Sequence, residues 1–290
     1  MKLAAAVLFA SLLGAVACRP AADRVVVGSK NFSEQVLLGE IVAQVLERKT
    51  GVRVDRRLNL GGTFVCDQAL RAGEIDVYVE YTGTAYTAIL KQPPGADPKT
   101  IARDLAAEYG KAGLEWTAPF GFENTFALVV RGDHAERLAL DEISDLARHP
   151  ELRAAFGYEF MERADGFPGL ARTYRLAFRQ PPRVMDLGLL YRALADDKAD
   201  VVAGNSTDGL IASLGLRVLK DDRRYFPPYE AAPVVRRQLL ERRPEVRAAL
   251  DSLGGKISAE KMRRLNYLVD GERRAAEKVA SEFVSTLSGY

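Results

Sequence analysis

Three short apolar runs alternate with two helical stretches near the start of the chain, and few folds accommodate that order. Val25 to Val27 is a strand-like triplet. Val36, Leu37, Ile41, Val45 and Leu46 follow at helical spacing within roughly Glu34 to Lys49, where Asn31 or Ser33 is placed to cap the helix and Gly51 to stop it. Val52, Val54 and Leu58 alternate with polar neighbours as a second strand, and LGGT (Leu60 to Thr63) turns into a helix over Thr63 to Ala72. Ile75 to Tyr81 reads as a third strand. A β-α-β-α-β order implies parallel strands joined by helical crossovers, hence an α/β fold. Ligands in open α/β sheets bind where strands end in loops. Two stretches sit there: GSKNFSEQ (Gly28 to Gln35) and VYVEYTGTA (Val77 to Ala85).

Farther on, Phe126 to Val130 reads as a strand and as a crossing point between two lobes. Asp141 to Arg148 and Val184 to Leu194 read as helices, and Val201 to Ala203 as a buried strand. PPY (Pro227 to Tyr229) interrupts the pattern. In the last helix Ala276, Val279, Ala280, Phe283, Val284 and Leu287 form an apolar stripe that suits core packing. ALRAGEIDV (Ala69 to Val77) echoes ALADDKADV (Ala193 to Val201), and five residues beyond each aspartate stand YTGT (Tyr81 to Thr84) and NSTD (Asn205 to Asp208). The echo suggests a helix, turn, strand and polar loop used once in each lobe, with coincidence as the rival account.

The chain has 290 residues with 41 Lys and Arg against 39 Asp and Glu, interspersed, so it carries no nucleic-acid footprint. Residues 1–17 have the profile of a secretory signal: a basic start at Lys2, an apolar segment from Leu3 to Val16, and Ala15-Val16-Ala17 as a small-x-small cleavage pattern. Cys18 follows at once, as in bacterial lipoproteins, although Ala15 stands where such signals usually have leucine. Lipidation at Cys18 is the expectation, with anchoring to a bacterial membrane and a periplasmic or cell-surface location; release of a soluble chain is the alternative. Cys66 is then the one cysteine left, and its place on a helix's apolar side suits a buried small hydrophobe.

No catalytic signature appears: there is no HExxH, G-x-S-x-G or P-loop, and His134 and His149 are too far apart to suggest a metal site. The expectation is a binding protein with no catalytic residue, cofactor or metal. Ser29, Lys30 and Asn31 precede a helix whose free backbone N–H groups attract an anion such as a carboxylate. Tyr81 and Thr84 end the third strand, and Phe126 starts another; core packing competes as the role of both rings. Tyr229, held by two prolines, reads as an exposed rigid ring suited to a quaternary ammonium. Asn205 and Thr207 complete the candidate set, with helix capping as the alternative for Ser206 to Asp208.

At these residues the chain resembles the substrate-binding proteins of osmoprotectant ABC importers, the glycine betaine/choline/carnitine-binding family. The matching stretches include GSKNFSEQ, LERKTG (Leu46 to Gly51), LNLGGT, GEIDVYVEYTGT, GFENTFAL (Gly121 to Leu128), ADGFPGL (Ala164 to Leu170), STDG (Ser206 to Gly209), DDRRYFPPYEAAPVVR (Asp221 to Arg236) and MRRLN (Met262 to Asn266). The resemblance implies a two-lobe periplasmic-binding-protein fold of type II. Residues 24–128 and 229–290 would form a discontinuous first lobe and 129–228 the second. It also implies a zwitterionic or quaternary-ammonium ligand caged by aromatic rings, and delivery to a membrane permease with its ATPase. Phe126 and Asn205 depart from the family, where tyrosines are common at both positions. The cage is thinner, so a larger or more polar betaine such as ergothioneine is an alternative to betaine or choline. A sensory receptor without transport is a second alternative, and an enzyme on this scaffold a third that lacks any nucleophile–base pair.

Overall fold

A computed structural model of the protein describes residues 24–287. The signal segment and Cys18 lie outside the described residues. Within them, ten strands form two sheets: β1 (Arg24–Lys30), β2 (Arg53–Gly61), β3 (Val77–Tyr81), β4 (Leu114–Trp116), β5 (Phe126–Arg131), β6 (Ala154–Phe156), β7 (Arg183–Val184), β8 (Val201–Asn205), β9 (Leu216–Val218) and β10 (Ala231–Arg236). The first sheet has the order β2-β1-β3-β10-β4 and the second β7-β6-β8-β5-β9. Helices cover both faces of each, and apolar side chains fill all four sheet–helix layers.

The amino-terminal elements form as the pattern predicts. Helix α1 (Ser33–Thr50) is buried along most of its length and packs against the carboxy-terminal helix Ala276–Thr286. Helix α2 (Thr63–Ala72) returns the chain to β3, so β1 pairs in parallel with both β2 and β3. Two local expectations change. The residue before α1 is Phe32, without a side-chain cap; Ser33 Oγ turns away to Asp270 at 2.5 Å. Asp141 to Arg148 holds only a short 3₁₀ helix over Ile143–Arg148, and the helix expected from Val184 starts at Leu187 because Val184 belongs to β7.

The two sheets repeat one plan. In each, an antiparallel strand, β10 or β5, lies fourth in the order, beside β3 or β8. The repeat extends to the sequence echo. Glu74 N–H bonds Ala69 O, and Lys198 N–H bonds Ala193 O. Gly73 and Asp197 both take positive φ, 76° and 54°, at their helix ends. Asp76 and Asp200 each accept a backbone N–H from the neighbouring strand's start, from Val26 at 2.9 Å and Arg153 at 2.8 Å.

The chain crosses between lobes at Asn124–Thr125 and again ahead of β10. These segments run side by side: Glu123 bridges Glu230, and Asn124 N–H bonds Tyr229 O at 3.1 Å. β5 therefore lies wholly in the second lobe, so a boundary after residue 128 would cut through it; the crossing comes just before Phe126.

Because Leu37 is wholly buried in the α1 layer, Leu37→Ala should lower the unfolding free energy by about 2–5 kcal/mol. Exposed Val184→Ala should change it by less than about 0.5 kcal/mol. Urea melts of the two variants test the contrast.

Candidate ligand-binding cleft

Between the sheets lies a cavity of about 500 Å³, within the size range of small-molecule sites. It is lined from both lobes, and its two ends differ. At the inner end stand buried Lys30, Tyr81, Thr84, Arg163 and Tyr229. At the mouth stand Leu60 from the first lobe and Tyr158 and Leu187 from the second, all exposed.

Two buried ion pairs set the electrostatics of the inner end. Lys30 Nζ lies 2.5 Å from Glu80 Oε1. Burial pushes the Glu80 carboxyl up, and Lys30 pulls it back down. Arg163 clamps Asp165 through Nε at 2.8 Å and Nη2 at 2.5 Å. Burial raises Asp165, but the guanidinium outweighs it and holds the carboxyl below its ordinary value. Arg163 Nη2 also reaches Thr84 Oγ1 in the other lobe at 3.2 Å. The remaining nitrogen, Nη1, lies 3.6 Å from Glu159 Oε2 without a direct hydrogen bond, so its two N–H donors are left for an anion in the cavity. Each carboxylate behind a cation holds it in place.

Aromatic rings surround these pairs. Phe126 lies edge-to-face with Phe160 and with Tyr229, at 4.8 Å and 6.0 Å between centroids. The Lys30 ammonium sits 5.1 Å from the Tyr81 centroid, and the Arg163 guanidinium 5.0 Å from that of Phe126. Tyr229 is not the exposed ring its prolines suggest; it is 1% exposed. Its hydroxyl donates to Asp165 at 2.7 Å, and its ring lies against Gly83. A Cβ at Gly83 would come within 2.7 Å of that ring, so the glycine of YTGT makes room for Tyr229. Burial, then the adjacent carboxylate, raises the Tyr229 phenol well above its usual value and keeps it a donor.

Of the nine residues singled out from sequence, Lys30, Asn31, Tyr81, Thr84, Phe126, Asn205 and Tyr229 line this cavity, and Ser29 and Thr207 do not. Side chains alternate along a strand, so Ser29 faces away from Lys30. Its hydroxyl accepts Asn59 N–H at 2.9 Å and ties β1 to β2. Thr207 is buried at the junction of the lobes, where its hydroxyl donates to Glu34 at 2.5 Å. Glu34 also accepts from Tyr81 Oη, Asn124 Nδ2 and Asn266 Nδ2 at 2.6, 2.8 and 2.7 Å. Burial raises this carboxyl, and the four hydrogen bonds oppose the rise. The sequence reading missed Arg163, Asp165, Glu34 and Glu80. In a chain rich in charged helices, their letters look like those of solvated faces. Cys66 is buried as expected, and burial pushes its thiol up to about 12.

Two lobes of one topology, joined by paired crossing segments and enclosing a polar-aromatic cavity, define a two-lobed solute-binding protein. Residues 23–286 match the family described as the substrate binding domain of ABC-type glycine betaine transport systems, and the chain belongs to that family. It is thus a substrate-binding protein of the ABC transport class. It is 35% identical over 273 residues to the carnitine transport binding protein of Listeria monocytogenes, covering 90% of this chain and 86% of that one. It is 37% identical over 267 residues to the ergothioneine transport permease/ergothioneine binding protein of Helicobacter pylori, covering 90% of this chain but 47% of that protein. A solved glycine betaine/carnitine/choline ABC transporter structure superposes with a TM-score of 0.75 at 35% identity, covering 90% of this chain and 97% of that one.

Asp208 supports the cavity wall from below: it accepts the Asn205 N–H at 2.8 Å and the Tyr191 hydroxyl. Its withdrawal from water, with the nearby Glu34 charge adding to the effect, pushes its carboxyl from 3.8 to about 7. The folded chain therefore holds a proton there that the unfolded chain releases near 3.8. The stabilising contribution is full below that pH and is lost as the pH rises towards 7. Asp208→Asn should remove this component, so the stability of the variant relative to wild type should rise between pH 4.5 and pH 7. Thermal melts across that range check the sign.

Proposed function

We propose that the chain captures a small quaternary-ammonium compatible solute of the betaine or choline type outside the cytoplasm and delivers it to an ABC permease with its ATPase. The observation that carries this reading is the inner end of the cavity. Rings of Tyr81, Phe126 and Tyr229 stand beside two cations whose counter-charges lie behind them. Ring faces favour a trimethylammonium group, and Arg163, Lys30 and Thr84 suit a carboxylate. Ser29 and Thr207 act on this site indirectly, by fixing β2 and the lobe junction. A lipid on Cys18 would keep the receptor near its permease. Among the described residues no helix is long and apolar enough to cross a membrane, which is compatible with either anchoring or release.

One feature favours a ligand larger than trimethylglycine. The cavity continues from the rings to the mouth, and Asn205, paired with Phe126 between β8 and β5, adds an amide to its wall instead of another ring. A bulkier betaine, as bound by the Helicobacter relative, would use that space. Transport is preferred over sensing because the family is named for transport systems.

Tyr229→Ala should weaken binding of a trimethylammonium ligand by about 1–3 kcal/mol, and Tyr229→Phe, which keeps the π face, by less. Isothermal calorimetry reads both; unchanged affinity in Tyr229→Ala removes the ring from the site. Gly188 lines the cavity, and a Cβ there meets no atom within 4 Å. Gly188→Leu should leave folding intact, since leucine is the better helix former. It should weaken a bulky betaine such as ergothioneine at least about tenfold more than trimethylglycine, a difference of roughly 1.4 kcal/mol. Equal losses for both ligands would argue against use of the outer space.

A further inference from the structure

One part of the cavity wall is a contact between the lobes that the ligand chemistry does not require. Glu159, from the helix Tyr158–Glu162 of the second lobe, reaches across to the start of α2 in the first. Its Oε1 accepts the Thr63 backbone N–H at 2.6 Å, and its Oε2 accepts the Thr63 hydroxyl at 3.0 Å. The first N–H groups of a helix lack partners within the helix, and the residue before α2 is Gly62, which has no side chain to cap them. A carboxylate from the other lobe supplies the missing cap, aided by the positive end of the helix. Thr63 is 1% exposed, whereas the Glu159 side chain remains 34% exposed, so the contact is buried on the donor side and open to water on the carboxylate side.

Gly62 is what lets the carboxylate in. A Cβ on Gly62 would stand 2.0 Å from Glu159 Oε1 and 3.0 Å from its Cδ. The backbone there, φ −78° and ψ −169°, is extended and open to any residue, so conformational freedom does not explain the glycine. Close approach does. Glu159 and Gly62 both line the cavity, so the contact forms part of its wall.

We propose that Glu159, Gly62 and Thr63 form an interlobe clasp, with Glu159 as the positioning residue that holds the cavity shut, so that bound solute leaves only when the clasp breaks. The proposal rests on the cavity being the ligand site. The contact joins the lobes through residues outside the paired crossing segments, so a hinged opening has to break it.

The test perturbs the clasp from both sides. Glu159→Ala removes the acceptor; Gly62→Ala removes nothing and wedges the carboxylate away from the opposite lobe. Each should raise the ligand dissociation rate at least about tenfold, as expected for loss of hydrogen bonds to a charged group, and leave the association rate within about threefold. Stopped-flow fluorescence with trimethylglycine, choline, carnitine and ergothioneine reads the rates. Small-angle scattering of ligand-free protein should give a larger radius of gyration for both variants than for wild type. Faster dissociation in Glu159→Ala with wild-type behaviour in Gly62→Ala would make Glu159 a ligand contact or a support for Arg163, which lies 3.6 Å from it, and overturn the clasp. Wild-type rates and radii in both would overturn it too. If wild type binds none of the four solutes while both variants expand, the clasp stands and the ligand assignment falls.

Discussion

One buried carboxylate ties together segments far apart in the chain. Glu34 stands in the first turn of α1 and accepts hydrogen bonds from Tyr81 on β3, Asn124 on the first crossing segment, Thr207 in the second lobe and Asn266 near the carboxy terminus. An isolated carboxylate in such a place would be prohibitive, and removing any one donor exposes part of that cost. The arrangement therefore resists alternatives: β3, the crossing segment and the Thr207 loop must arrive together. Asn266 reinforces it by also donating to Thr207 O at 2.9 Å. The lobes are thus registered at their junction by directional polar contacts, alongside the rings of Phe126 and Phe226, which pack against both cores.

The same logic recurs in the cavity. Lys30 with Glu80 and Arg163 with Asp165 are buried pairs that add little net stability, because desolvating them offsets most of their attraction. What they supply is position. Tyr229 joins the second pair through its hydroxyl, so a ring and a guanidinium are fixed by one carboxylate. Sites prepared this way spend less of their binding energy on ordering side chains when a solute arrives. Glu80 and Asp165 contribute without lining the cavity.

These features explain which parts could be read from sequence. The β-α-β-α-β start was legible because helix and strand periods differ and Gly51 marks a helix end. The echo around Asp76 and Asp200 was legible as well, since both aspartates accept a neighbouring strand's N–H and leave a common spacing. β10 was not: Pro233 sits within it, paired opposite Val79, and proline normally argues against an inner strand. Its carbonyl still accepts Thr117 N–H at 3.0 Å, so the sheet keeps that bond. Residues at strand ends, such as Lys30, Thr84 and Phe126, could be placed because their strands could. Arg163 and Asp165 lie on a loop between short helices, and no period announces that a charge there is buried. Tyr229 lines the cavity but was taken as exposed, since the approach of Gly83 beneath its ring is a tertiary fact.

The junction and the mouth then divide the work of a hinged receptor. At the junction, Glu34 gathers four donors in the dry interior, and the crossing segments bond each other directly. At the mouth, Glu159 takes two donors from one residue and retains a partly exposed side chain. Water can replace the donors of a half-exposed carboxylate far more readily than those of a buried one, so contacts at the two ends differ in how easily they break. The proposed clasp is accordingly the contact that opening breaks first, with the Glu34 junction as its pivot. Arg163 and Thr84 already bond each other across the cleft, so on the proposed reading a solute held by both would favour the state in which the lobes stay together.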